Sequence, residues 1–234
     1  GDPGDPGSGD NTDPTTRFVR PVPIGVSTGH PDITAGTIGA CVTNGGSRYA
    51  LSNNHVFANE NAAEINDDIL QPGSYDGGRS PADNLGTLSD FVEINFAGRD
   101  NRVDAAIASV GSNIGNATPS NGYGVPKSTT ADATIGMRVM KYGRTTGLTK
   151  GRVQGVNATI NVGYDTGVAR FTGQIVIGGG GFSAGGDSGS LIVVEKGSQA
   201  RQPVGLLFAG GAGTTIANPI GEVLSAFGVQ INCQ

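Results

Sequence analysis

Glycine sets the tightest limit on what this chain can fold into. It supplies 41 of 234 residues, well above the usual ~7%. Glycine takes the positive-φ positions of tight turns without steric cost but weakens helix interiors. A helical bundle would be richer in Ala, Leu, Glu and Lys. The charged fraction of 15% and the hydrophobic fraction of 36% are both low, with small polar residues filling the gap. The fold class expected is therefore all-β, with many short strands and turns, in one large domain or two small ones.

The net charge of −5 comes without a basic stripe, so nucleic acid is not an expected partner. No run of about 18 apolar residues offers a membrane span. No signal peptide is visible, although a sequence that starts after a removed segment would leave secretion open, and secretion is favoured over the cytoplasm. Cys41 and Cys233 either close one long loop or remain two buried thiols. Two cysteines and two histidines without a C-x-x-C or H-x-x-x-H pair make no structural zinc site, so no metal or cofactor is expected.

Residues 1–16, GDPGDPGSGDNTDPTT, carry almost no apolar side chain and read as a flexible tail or linker. Three Gly-x-x triplets are too few for a collagen helix, and the aspartates lack EF-hand spacing for calcium. From Phe18 onward short strand candidates alternate with turn signals. TAGTIGACVT leads through Asn44-Gly45-Gly46, a hairpin signal, to RYALSNNHVFA. The polar stretch NENAAEINDDILQPGSYDGGRSPADN reads as a long surface excursion. LGTLSDFVEINF and VDAAIASV follow as strands, and residues 111–130 read as a linker between halves. The second half offers TIGMRVMKYG, GLTKGRVQGVNATINV, VARFTGQIVI, SGSLIVVE and PVGLLFAG as strands. NPIGEVLSAFGV reads as a terminal helix. Asn218 is its cap, Pro219 its first position, Ile220, Val223, Leu224 and Phe227 its apolar face, and Gly228 its stop.

Gly186-Asp187-Ser188-Gly189 raises the question of a nucleophile. A serine needs a base, an orienter for that base and donors for an oxyanion. Of the two histidines, His30 precedes a proline and reads as a surface-loop residue. His55 ends an apolar stretch, where the chain leaves a core and can face a cleft. Asp104 opens the apolar VDAAIASV, and a buried carboxylate there requires a partner. Asp90 and Glu93 are its competitors, but their alternation points them to solvent.

His55, Asp104 and Ser188 occur in the order of the trypsin-like serine peptidases, and the surrounding residues resemble that family. ALSNNHVFA resembles its histidine segment, VDAAIASV its aspartate strand, GGDSGSLIV its nucleophile loop and PVGLLFAGG its cleft strand. YGRTTGLTKGRV is similar to a segment of bacterial secreted peptidases of the α-lytic and streptogrisin type. LSNNHVFA, ILQPG and ANPIGEVLSAFGV resemble a less-studied bacterial group. The resemblance covers roughly residues 22–230.

The resemblance implies two six-stranded antiparallel β-barrels with a cleft between them. Residues 17–118 would carry His55 and Asp104, and residues 119–234 would carry Ser188 and the terminal helix. It implies a serine endopeptidase, acting as a monomer on protein or peptide substrates. His55 would be the base and then the acid, Asp104 its orienter and Ser188 the nucleophile. The backbone N–H groups of Gly186 and Ser188 would form the oxyanion hole. Arg144 of the Gly-Arg-Thr-Thr-Gly segment would pair with Asp187 and brace the loop, since the N-terminus offers no Ile-Val-Gly-Gly start. Phe182 and Ser183 would sit at the primary specificity pocket, with Phe208, Ala209 and Gly210 along its wall. That pocket would suit small or medium apolar residues. Val56 stands where the family usually has a cysteine, so the family's usual disulfides are missing. The alternatives are a catalytically silent binding or scaffold module, an esterase with the same triad, and a precursor that needs processing. The glycine run GGGGFSAGG lacks the Lys-Ser/Thr of a phosphate loop.

Overall fold

The structure, a computed structural model, describes residues 12–211 and 213–233. In chain order its strands are β1 (Ser27–Thr28), β2 (Gly36–Thr37), β3 (Ala40–Asn44), β4 (Ser47–Ser52), β5 (Asp68–Leu70), β6 (Asn84–Phe91) and β7 (Ala106–Ser109). They continue as β8 (Arg138–Gly143), β9 (Gly147–Gly163), β10 (Val168–Gly178), β11 (Leu191–Val194), β12 (Pro203–Gly211), β13 (Thr214–Pro219) and β14 (Gln230–Ile231). Helices α1 (Asn54–Phe57) and α2 (Ile220–Phe227) complete the set, with one 3-10 turn at Ser74–Asp76.

Two antiparallel six-stranded sheets dominate. One has the order β14-β3-β4-β7-β6-β5, and the other is a closed barrel, β10-β13-β12-β11-β8-β9. Closure leaves the barrel without a free edge. The first sheet is wrapped by the β1–β2 hairpin. Gly29 exchanges hydrogen bonds of 3.2 and 2.9 Å with Leu70, and β2 runs through Ile38 and Gly39 into β3. This ties the β5 edge back to the other side of the sheet. The expected all-β architecture is therefore observed, with a short C-terminal helix.

Among the described residues the apolar side chains gather in four clusters, the smallest of them around Ile94, Phe171 and Phe208. Val22, Ile24, Phe57, Leu85 and Leu88 lie inside the first sheet. Val139, Ile177, Phe182 and Ile192 fill the barrel. Leu51 and Ile107 of the first sheet pack with Leu191, Leu206, Val223 and Ile231 from the chain's second half. Each such side chain contributes roughly 1.5–3 kcal/mol on burial, so the junction between the sheets is itself a core. That junction carries the cleft.

Several local readings change: the excursion contains β5 and the 3-10 turn, and the strand LGTLSDFVEINF ends at Phe91. Residues 12–16 are not loose: Ser27 donates to the Pro14 carbonyl (2.8 Å), Gln71 to Thr16 (2.8 Å) and Asn121 to Thr12 (3.1 Å). The remaining tail residues, with their collagen and calcium readings, lie outside the described residues. Helix α2 starts one residue late, with Pro219 at its cap position and no side-chain cap. Asn218 belongs to β13 and spends its side chain elsewhere, accepting from the Asp104 N–H (2.9 Å) and donating to Gln174 (2.7 Å). The apolar face and the left-handed stop at Gly228 (φ 61°) are as expected.

Cys41 and Cys233 form a disulfide across 192 residues of chain, which decides between the two sequence readings. It pins β14 to β3, where Ile231 pairs with Val42. Cys41→Ala is expected to destabilise the fold by about 2–5 kcal/mol. Equilibrium denaturation of the two proteins checks this, and an unchanged denaturation midpoint would contradict it.

Candidate active site

The chain delivers His55 on a helical turn rather than a strand. β4 ends at Ser52, and α1 begins at Asn54. The two asparagines of Ser52-Asn53-Asn54-His55 knit this turn to its surroundings. Asn53 Nδ2 donates to the Asp104 carbonyl (2.8 Å). Asn54 Nδ2 donates to the Val92 carbonyl (2.8 Å) and to Asn61 (2.8 Å). The turn is thereby locked against the segment that carries Asp104.

Asp104 is fully buried just ahead of β7. Its carboxylate accepts from the His55 backbone N–H (3.2 Å), from His55 Nδ1 (2.6 Å) and from the Tyr164 hydroxyl (2.8 Å). A carboxylate only accepts, so Nδ1 carries its proton and the Nε2 lone pair faces outward. Burial pulls the His55 imidazole toward its neutral form. The charge of Asp104, its hydrogen bond and the charge of Glu60 outweigh that and hold the imidazole above its ordinary 6.5. The ring keeps 23% of its surface exposed. Asp90 and Glu93 are exposed and take no part in this network.

The segment with Ser188 meets the histidine turn at Gly36. A Cβ on Gly36 would stand 2.5 Å from Val56 Cγ2 and 3.1 Å from the Ser188 carbonyl oxygen. Thr37 N–H donates to that same carbonyl (2.8 Å). Ser188 Oγ donates to the Phe208 carbonyl at 3.4 Å. Among the described residues it has no hydrogen bond to His55, a contact that in unliganded sites is often long and tightens with substrate.

Gly186 sits at φ +96°, and a Cβ there would run into Thr145 Oγ1, so only glycine fits. The Gly185 carbonyl accepts from Thr145 Oγ1 (2.6 Å). In a trans peptide the C=O and the N–H point in opposite directions. Anchoring that carbonyl on Thr145 therefore turns the Gly186 N–H away from Thr145. Neither the Gly186 nor the Ser188 N–H donates to any group among the described residues. Two free donors thus flank the serine.

The expected Asp187–Arg144 pair does not form. Arg144 Nε and Nη2 reach Asp76 instead (2.9 and 2.5 Å), with Tyr75 against the guanidinium. The excursion read as mere surface folds back and supplies this better-placed carboxylate. Asp187, fully buried, is held by neighbours of Arg144. It accepts from Thr145 N–H (2.9 Å), Thr146 N–H (3.2 Å), Thr146 Oγ1 (2.6 Å) and Ala184 N–H (3.0 Å). Its cation is Lys141, whose Nζ lies 4.0 Å away and donates to Thr146 Oγ1 (2.6 Å) and the Gly147 carbonyl (2.7 Å). Burial, countered in part by Asp187, pushes the Lys141 ammonium down to about 8. Lys141 falls two residues after Val139, on the same inward face of β8, and a charge in register with a buried apolar residue was the available signal for this pair.

Beside Ser188 lies a cavity of about 300 Å³ lined by Ser183, Ala184, Gly185, Leu207, Ala209, Gly210 and Gly211. The Ser183 and Thr215 hydroxyls are hydrogen-bonded at 2.5 Å. Two expected pocket residues are absent from this lining. Phe182 is turned into the barrel core, against Val153, Ile177 and the Lys141 ammonium. Its chain neighbour Ser183, in the turn that follows β10, faces the pocket. Phe208 packs on Phe171 at 4.7 Å and borders a second cavity of about 530 Å³ with His55, Glu60 and Tyr164. His30, read as a surface residue, is buried. Its Nε2 bonds Asp67 (2.8 Å) and its backbone N–H donates to the Val56 carbonyl (2.9 Å), so it ties the excursion to the α1 turn. Tyr164, Lys141, Thr145 and Thr146 were missed from the sequence as site residues.

Comparison with known proteins agrees with this fold. The family model described as the Nal1 C-terminal domain matches residues 91–218, a span with Asp104 and Ser188 but not His55. The chain is 31% identical over 146 residues to Serine protease 1 of Streptomyces fradiae, covering 53% of this chain and 39% of that protein. It is 33% identical over 111 residues to Glutamyl endopeptidase 2 of Streptomyces griseus, covering 47% and 56%. The chain thus spans 39% and 56% of the length of these two relatives. Thermobifida fusca Protease A superposes with a TM-score of 0.65 at 24% identity, covering 91% of this chain and 99% of that one. A glutamic acid specific serine protease superposes with a TM-score of 0.65 at 25% identity, covering 90% and 100%. The fold is the double-barrel fold of the bacterial chymotrypsin-like proteases.

Proposed function

The chain belongs to the Nal1 C-terminal domain family, and we propose that it is a serine endopeptidase working through His55, Asp104 and Ser188. The observation that carries this reading is the buried Asp104 carboxylate 2.6 Å from His55 Nδ1, beside a serine flanked by two unpaired backbone donors. Ser188 Oγ attacks the peptide carbonyl carbon and passes its proton to His55 Nε2. The oxyanion is received by the N–H groups of Gly186 and Ser188, each worth about 2.7–4 kcal/mol in the transition state. His55 then protonates the departing amine. Water, deprotonated by His55, attacks the acyl group, and the proton returns to Ser188 Oγ. Asp104 keeps the tautomer and stabilises the imidazolium throughout. The cavity beside Ser188 has no charged side chain in its lining, so the substrate residue it receives is uncharged and of small to medium size.

Fluorophosphonate labelling of the purified chain tests the reading. Labelling is expected at Ser188 and lost in both Ser188→Ala and His55→Ala. The base must be neutral, and Asp104 and Glu60 hold the imidazole above 6.5. The labelling rate should therefore rise with pH through a midpoint above that value. A folded chain that is not labelled would favour a silent binding module.

A further inference from the structure

Resting on the triad reading, we propose that Tyr164 is a positioning residue of this site, its phenol hydroxyl holding the Asp104 carboxylate and so setting how strongly His55 acts as a base. Tyr164 belongs to the turn of the long β9–β10 hairpin, between Gly163 and Gly167. Its N–H and carbonyl are tied to Gly167 across the turn (2.8 and 3.2 Å). The same turn is fastened to the loop after α1, since Thr166 N–H donates to Glu60 Oε1 (2.9 Å). The hairpin of the closed barrel therefore reaches over to the first sheet and is clamped there.

The ring is fixed as well. It stands edge-on to Phe96 (5.6 Å) and to His55 (5.9 Å), and packs on Phe171 (6.3 Å). The hydroxyl then reaches Asp104 Oδ2 at 2.8 Å, the oxygen that His55 Nδ1 also uses. Burial and then the Asp104 charge push the phenol far above its ordinary 10, so the proton stays on the tyrosine and the hydroxyl is the donor. No side chain other than His55 and Tyr164 donates to this carboxylate among the described residues.

The consequence follows from charge. A donor on Oδ2 disperses the negative charge that pulls His55 toward imidazolium. Removing the hydroxyl concentrates that charge on the bond to Nδ1. The charged groups facing His55 are Asp104 and Glu60, with Asp165 lining the same cleft. None of them changes in Tyr164→Phe, which also keeps the ring packing.

The test is an NMR titration of His55 in the full chain and in Tyr164→Phe, with His55→Ala to assign the resonance against His30. The midpoint is expected to rise by about one pH unit in Tyr164→Phe. The fluorophosphonate labelling rate at neutral pH is expected to fall about tenfold, with its acid limb displaced by the same amount. An unchanged His55 midpoint would overturn the proposal, whatever the labelling shows. Absence of labelling in the unmodified chain would overturn the triad reading, while the titration would still decide the role of Tyr164.

Discussion

Asp187→Asn is expected to cost about 3–5 kcal/mol of stability and to slow fluorophosphonate labelling by about 10²–10³-fold. The carboxylate is fully buried and accepts four hydrogen bonds from Thr145, Thr146 and Ala184. An amide has one accepting oxygen, and its NH₂ would face donors that need an acceptor. The fully buried Lys141 ammonium would also lose its counter-charge, and an unpaired charge is the costlier half of a broken pair. Labelling falls for a connected reason. Asp187 anchors Thr145, Thr145 anchors the Gly185 carbonyl, and that carbonyl sets the direction of the Gly186 N–H. The loss should therefore match that of one oxyanion donor.

A second substitution separates the two effects. Lys141→Met in the Asp187→Asn background removes the orphaned ammonium, so part of the stability should return while labelling stays slow. Denaturation midpoints and labelling rates measure both, and a single variant matching the unmodified chain in both would refute the account. The pH dependence has a definite sign. Lys141 titrates near 8 in the folded chain and near its ordinary 10.5 when unfolded. Between those values the unfolded chain holds more protons, so this group's contribution to stability rises with pH. Losing Asp187 removes the influence that holds the ammonium up, and the window should then extend below 8.

This brace also marks where sequence reading ran out. The Arg-Thr-Thr-Gly segment was visible, but charge pointed to Arg144, the residue with the longest reach and the formal charge. The threonines do the work because backbone N–H groups and a hydroxyl fit a carboxylate at close range. Arg144 was free to find Asp76, in an excursion that looked like surface because its polar residues give no periodic pattern. Lys141 carried the better signal, being a charge in register with Val139 on the inward face of its strand.

The all-β class was legible for the opposite reason. Turn glycines and alternation are local, and they survive whatever the tertiary contacts are. The strand reading of RYALSNNHVFA failed only past Ser52, where Asn53 and Asn54 satisfy neighbouring carbonyls through their side chains and let the backbone turn. Phe182 was placed by loop position, whereas its aromatic ring follows burial. Tyr164 had no sequence signal. It is a turn residue whose partner lies 60 residues earlier, in the segment leading into β7 of the other sheet, and only the packing of the two sheets brings them together.

The same network makes Asp104→Asn the most damaging conservative change expected for activity. Three donors converge on the Asp104 carboxylate: the His55 backbone N–H, His55 Nδ1 and the Tyr164 hydroxyl. An asparagine can place its oxygen toward only some of them. If its NH₂ faces Nδ1, the imidazole must present a lone pair there and carry its proton on Nε2. The base is then protonated at the atom that should accept the proton from Ser188. The expected loss is about 10⁴-fold in labelling rate, the size seen when such a carboxylate is replaced by its amide in a related triad. A residual rate should persist, because the Gly186 and Ser188 donors are built from the brace at Asp187 and do not depend on Asp104. The fold should survive, since the Asp104 backbone bonds to Asn53 and Asn218 are unaffected. Labelling within tenfold of the unmodified chain would mean that the position of His55 does not depend on Asp104. In that event the buried carboxylate would have to be assigned to holding the two sheets together through Tyr164 rather than to orienting the base.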